Sequence, residues 1–218
     1  MFRVKICGIT SVTDALAVVR AGADAIGLNF FPESPRWVSP EIARRITDSL
    51  PAGLVKVGLF VNAPTTEVCR TIDDLHLDVV QLHGDEPPRY LRDLSPRPVM
   101  RAFRLGQSGL GPVFDYLDQC RQLDCLPHLV LIDSYRKGQY GGTGDTADWR
   151  VVVEYGKQSD CPPLVLAGGL RPGNVAEAIR AVRPDAVDTA SGVETQPGCK
   201  DPRLVAQFVK AAQDAFAL

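Results

Sequence analysis

The chain has 218 residues, 45% of them hydrophobic and 23% charged, with a formal net charge of −2. Acidic and basic residues are interspersed, so the clustered basic face that nucleic acid requires is missing, and no run approaches the roughly 18 apolar residues of a membrane helix. Neither nucleic acid nor membrane is therefore an expected partner. The opening residues MFRVKICG lack the apolar core and cleavage site of a secretory signal. Six scattered cysteines with no CxxC pair then read as free thiols, and the cytoplasm is the expected address.

Along the chain, short aliphatic runs alternate with longer stretches of helical spacing. Strands are predicted at 2–7, 25–30, 54–61, 78–83, 98–104, 128–133, 163–168 and 185–190. Helices are predicted at 11–22, 40–50, 64–75, 86–95, 112–123, 147–156, 173–182 and 201–216. Thr13-Asp14 marks the first helix start, while Ser39-Pro40 and Asp201-Pro202 place proline at a first helical position. Strands alternating with helices imply parallel pairing with helical crossovers, and eight such units close into a (β/α)8 TIM barrel. The expectation is one catalytic domain over residues 1–218. An open doubly wound sheet is the alternative, but it would favour a GxGxxG turn after the first strand, and none is there.

In such a barrel the chemistry sits at the carboxyl ends of the strands. The residues there include Cys7, Asn29, Phe60 to Asn62, His83, Arg104, Asp133, Gly168 and Asp188 to Ser191. Strand alternation puts Lys5 and Cys7 on one face and Val4 and Ile6 on the other, so Cys7 is expected to point into the barrel mouth with Lys5 deeper. Cys7 reads as a reactive thiol or as a small buried hydrophobe. Asp133 ends the apolar run LVLID, where desolvation favours a protonated carboxyl suited to general acid work; a loop cap is the other reading. His83 and Asp188 count as candidate substrate contacts.

The segment FPESPRWVSP offers Arg36, whose guanidinium either pairs with a substrate carboxylate or stays solvated. Two glycine pairs follow the last two strands: Gly168-Gly169 in VLAGGLRPGNV and Ser191-Gly192 in VDTASGVE. They let backbone N–H groups approach a phosphate, or simply make tight turns. The long glycine-rich loop with Gly138, Gly141, Gly142 and Gly144 has the length of a ligand loop, and whether 134–146 closes as a lid is left open. Neither metal nor organic cofactor is expected, because His83 is the only histidine at the catalytic end.

With these residues placed, the sequence resembles the phosphoribosylanthranilate isomerase family of tryptophan biosynthesis along nearly its whole length. The motifs are KICGIT, AGADAIGLNF, SPRWVSP, VGLFVN, VVQLHGDE, LIDS, YGGTGDTADW, LAGGLRPGNV and VDTASGVETQPGCKD. The resemblance implies a small phosphosugar substrate and an Amadori rearrangement of N-(5-phosphoribosyl)anthranilate to 1-(2-carboxyphenylamino)-1-deoxyribulose 5-phosphate. It also implies Cys7 as general base, Asp133 as general acid, Arg36 at the anthranilate end, and phosphate on the backbone of Gly168-Gly169 and Ser191-Gly192. Two departures stand out: Ala190 where serine is common in the family, and Arg171 beside the phosphate segment.

A free thiol titrates near about 8.5 and a free aspartate near about 3.9, so both groups start in the wrong protonation state for these roles. Burial of Asp133 and positive charge on the bound substrate are the expected remedies. Other phosphosugar barrels fit less well: an indole-glycerol-phosphate synthase needs a strand-end lysine and glutamate, and a two-aspartate histidine-pathway isomerase needs an aspartate where Cys7 stands. A non-catalytic barrel that binds phosphometabolites is the rival from another class.

Overall fold

The computed structural model describes residues 1–134 and 149–218. Its strands are β1 (Val4–Cys7), β2 (Ala25–Asn29), β3 (Val55–Phe60), β4 (Val79–Leu82), β5 (Val99–Arg104), β6 (Leu129–Asp133), β7 (Leu164–Ala167) and β8 (Ala186–Thr189). All neighbours pair in parallel, and β8 closes on β1. Between them run α1 (Val12–Arg20), α2 (Pro40–Asp48), α3 (Thr65–Leu75), α4 (Pro88–Asp93), α5 (Gly111–Gln122), α6 (Trp149–Val153) and α7 (Val175–Val182), and α8 (Pro202–Phe216) ends the chain. The architecture is the (β/α)8 barrel that the alternation predicts.

Local chemistry explains most boundaries. Ser39 caps α2 by accepting from the Ile42 amide, and Asp201 caps α8 by accepting from Arg203 and Leu204, both just before the predicted prolines. The first helix starts earlier than Thr13-Asp14 suggests, because Ser11 is the residue whose side chain accepts from the Asp14 amide. Two helices are shorter than predicted. α4 spans six residues, and α6 gives way after Val153 to a 3-10 turn at Tyr155–Lys157. An unpredicted antiparallel hairpin, β9 (Glu194–Gln196) with β10 (Cys199–Lys200), follows β8.

Alternation divides the barrel into two cores. Val4, Ile6, Ile26, Leu28, Val80, Leu82, Val130 and Ile132 face the helices and join their apolar sides. Ala25, Val57, Met100, Leu129, Leu131, Val165 and Ala186 fill the interior. The interior is packed, so only its carboxyl rim is free to hold a ligand.

One charged group lies in the outer core. Arg101 on β5 is 5% exposed and donates to the carbonyls of Leu82 at 3.0 Å, Ala102 at 2.9 Å and Gly84 at 2.9 Å. Its charge is met by Glu86 at 3.3 Å, and its guanidinium stacks over Phe103 and Tyr116. Glu86 in turn accepts from the amides of Asn62 and Gly84, so this pair pins the turn that carries His83. Removing one member of such a buried pair strands the other charge. Glu86→Leu is therefore expected to cost about 3–5 kcal/mol in urea unfolding, and Arg101→Met added to it should restore part of the loss.

Candidate active site

A cavity of about 530 Å³ opens at the carboxyl ends of the strands. Cys7, Arg36, His83, Asp133, Gly168, Gly169, Asp188 and Ser191 all line it. The eight candidates come from six βα units and meet only because the barrel closes. Gly192 does not line the cavity. A Cβ there would run into the Leu170 carbonyl oxygen, so the residue lets the segments after β7 and β8 touch. Gly138, Gly141, Gly142 and Gly144 lie outside the described residues.

Cys7 ends β1 and is 7% exposed. Gly8 follows with φ +74°, and a Cβ on it would collide with the Arg36 side chain. The Cys-Gly junction is thus a sulfur at the cavity wall followed by a turn over which Arg36 lies. Below Cys7, the fully buried Lys5 donates to Asp188 at 2.9 Å. Burial works against the Lys5 ammonium, but Asp188 and Cys7 more than offset it and hold its pKa above the usual lysine value. Burial pushes the Asp188 carboxyl up while Lys5 opposes that rise. Asp188 therefore reaches the cavity already bonded to Lys5.

Arg36 is not a solvated arginine. Its Nε donates to Glu194 at 2.9 Å and its Nη2 at 2.6 Å, a forked contact with one carboxylate. The other oxygen of interest, Oε1, also accepts from the buried Lys200 at 2.7 Å, and Lys200 donates to the Ala190 carbonyl at 3.2 Å. Burial would raise the Glu194 carboxyl, but these two cations outweigh it and hold it below its usual range. Lys200 moves down through burial, opposed by Glu194. The β9–β10 hairpin thus fixes both the arginine and the segment after β8. Glu194 and Lys200 were missing from the sequence reading; the signal was a pair of opposite charges inside the glycine- and proline-rich GVETQPGCKD.

His83 follows β4 and its Nε2 is buried without a partner among the described residues. Burial first, then Arg104, Lys5 and Arg101, push its pKa down to about 4, so the ring is neutral near pH 7. The Gln81 Oε1, one inward step below on β4, is likewise buried and unpartnered among the described residues, and Gln81 lines the cavity. Beside them along the rim, Arg104 and Asp133 are register partners on β5 and β6. Gly168 and Gly169 adopt φ of 96° and 65°, which bends the chain after β7 around the cavity as only glycine does without strain. Asn174 steadies that bend, donating to the Gly169 carbonyl and accepting from the Arg171 amide. The Arg171 side chain is exposed.

Among the described residues, no three His, Cys, Asp or Glu side chains gather as metal ligands, and no helix is long and apolar enough to cross a membrane. All six cysteines are free.

Residues 4–211 match the family model for N-(5'phosphoribosyl)anthranilate (PRA) isomerase. An N-(5'-phosphoribosyl)anthranilate isomerase of Trichlorobacter lovleyi is 48% identical over 99% of this chain and 100% of its own. One from Geobacter sulfurreducens is 46% identical over 98% and 99% of the two chains. Among solved structures, phosphoribosyl anthranilate isomerase from Thermotoga maritima superposes with a TM-score of 0.85 at 39% identity, over 98% of this chain and 100% of that one. A second such structure, an isomerase holding reduced 1-(o-carboxyphenylamino)-1-deoxyribulose 5-phosphate, gives 0.81 at 39% identity, over 98% and 100%. With the motifs, the barrel and the cavity in agreement, this chain belongs to the N-(5'-phosphoribosyl)anthranilate isomerase family.

Proposed function

We propose that the chain isomerises N-(5'-phosphoribosyl)anthranilate to 1-(2-carboxyphenylamino)-1-deoxyribulose 5-phosphate in tryptophan biosynthesis, with Asp133 as general acid and Cys7 as general base. The observation that carries this assignment is that Asp133 and Cys7 line one cavity together with the Gly168-Gly169 and Ser191 backbone. The rearrangement needs two proton movements. A proton delivered to the furanose oxygen by the Asp133 carboxyl opens the ring and leaves an iminium between C1′ and the anthranilate nitrogen. The Cys7 thiolate then removes the C2′ proton, and those electrons quench the iminium to give an enol-amine. Tautomerisation of the enol to the ketone completes the exchange, with no net gain or loss of electrons.

The remaining residues position the substrate. Phosphate is assigned to Gly168, Gly169 and Ser191, where positive-φ glycines free backbone N–H groups for an anion. Arg36 is assigned the anthranilate carboxylate, which it meets with donors other than the two committed to Glu194. Neutral His83, Gln81 and Asp188 face the sugar hydroxyls. The same reading places the enzyme in the cytoplasm.

Loss of the anthranilate-type fluorescence of the substrate gives the assay. Cys7→Ser and Asp133→Asn should each lower turnover by about 10²–10⁴-fold while binding of the reduced product analogue survives; near-normal turnover in either rejects that role. His83 yields a separate stability test. Its folded pKa of about 4 lies below the unfolded value of about 6.5, so the unfolded chain binds more protons between those limits and stability falls as pH drops through them. From pH 7 to pH 5 the wild type should lose about 2 kcal/mol more in urea unfolding than His83→Asn does.

A further inference from the structure

Two ionisable side chains share the inner face of β1, and β2 opposes them with no side chain at all at one point. Cys7 pairs in register with Gly27. A Cβ on Gly27 would stand 2.7 Å from the Cys7 Sγ and 3.0 Å from the Lys5 Nζ, so sulfur and ammonium converge on the same notch. We propose that Lys5 is a positioning residue for the reaction: its buried ammonium, anchored by Asp188, holds Cys7 in the thiolate form, and Gly27 leaves the space in which the two atoms meet. This rests on the reading of Cys7 as the base.

Hydrogen-bond capacity favours the pairing. An ammonium has three donors, and Asp188 accepts one of them at 2.9 Å. Lys5 is fully buried, so a further donor facing the notch gains from an anionic acceptor there. Charge balance within the two ion-pair clusters points the same way. Lys5 and Asp188 cancel, whereas Arg36 and Lys200 share the single carboxylate of Glu194, an excess of one positive charge in that cluster. Ionising Cys7 neutralises that excess. The charged groups acting on the sulfur are Lys5 on its own strand, Arg36 after β2 and Lys200 on β10, while His83, Arg104, Asp133 and Asp188 face the same cavity from β4, β5, β6 and β8. Arg36 and Lys200 are paired with Glu194 at 2.6 Å and 2.7 Å, whereas Lys5 is the cation whose Nζ stands at the Gly27 notch beside the sulfur. The bound substrate then arrives at a base already charged, without having to create it.

The test is the pH dependence of iodoacetamide alkylation at Cys7, read by mass spectrometry of its peptide in the full-length protein. Lys5→Met should move the inflection to higher pH and slow alkylation at pH 7 at least tenfold. Asp188→Asn should move it the opposite way, because it leaves Lys5 unbalanced beside the sulfur. A purely structural role for the pair would shift both variants in one direction, and that result, or an unmoved profile in Lys5→Met, overturns the proposal. Where Lys5→Met alone fails to fold around an unpaired Asp188, the neutral double variant Lys5→Met/Asp188→Asn takes its place; alkylation at the wild-type rate there overturns the proposal too. Alkylation is independent of turnover. If Cys7→Ser remains active while the alkylation profiles separate as expected, the base assignment fails and the coupling of Lys5 to Cys7 stands.

Discussion

A cation removed from water inside a packed barrel has to meet an anion, and this requirement organises the catalytic end of the molecule. Lys5, Lys200 and Arg101 are all buried, and each reaches a carboxylate from another segment: Asp188, Glu194 and Glu86. The Lys5–Asp188 contact spans 183 residues of sequence and joins the first strand to the last. It also stands where barrel closure has to be in register, since Lys5 and Asp188 are Cα partners across the β1–β8 seam. A buried ion pair adds little net stability over a well-packed apolar pair of the same volume. Three of them around one cavity are therefore better understood as devices that fix side chains and charge.

The three pairs do different things. Arg101 and Glu86 act from outside the barrel wall and shape the turn bearing His83 through backbone contacts at Gly84 and Asn62. Glu194 clamps Arg36 and Lys200 together, and Lys200 bonds the Ala190 carbonyl just before Ser191. The proposed carboxylate and phosphate ends of the cavity thereby share one hairpin. Lys5 and Asp188 lie beneath the sulfur, so charge placed for structure also sets the electrostatic field at the proposed base.

Much of this was legible in the sequence because it follows from period. Alternation in VKIC places Lys5 and Cys7 on the inner face, with Lys5 deeper, and the structure has both there. The strand-end positions of His83, Asp133 and Asp188 follow from the same count, and all three line the cavity. What period does not encode is partnership. Arg36 reads from sequence as a free guanidinium, and Asp188 as a free carboxylate, because their partners Glu194 and Lys5 lie 158 and 183 residues away. The β9–β10 hairpin escaped for a related reason: its strands have three and two residues and carry no apolar alternation, and Glu194 holds it by ion pairs to Arg36 and Lys200. At Gly192 the missing Cβ makes room for the Leu170 carbonyl, a contact between loops that period does not encode either.

The proposed assignment sets two opposite demands on one small cavity, a carboxyl that keeps its proton and a thiol that gives its proton up. Neither is met by a change of residue type, so geometry has to separate the two environments. Asp133 ends a strand whose other residues are Leu, Val, Leu and Ile, and its Cα neighbours are Ala167 on β7 and Arg104 on β5. Cys7 has a glycine for its neighbour on β2 and an ammonium below it. The small residue beside Cys7 has a clear effect: the glycine leaves the notch in which the Lys5 ammonium stands near the sulfur. A barrel whose strands present one inward side chain every second residue can vary these neighbours independently, so that the two sides of a single mouth differ in charge and in space.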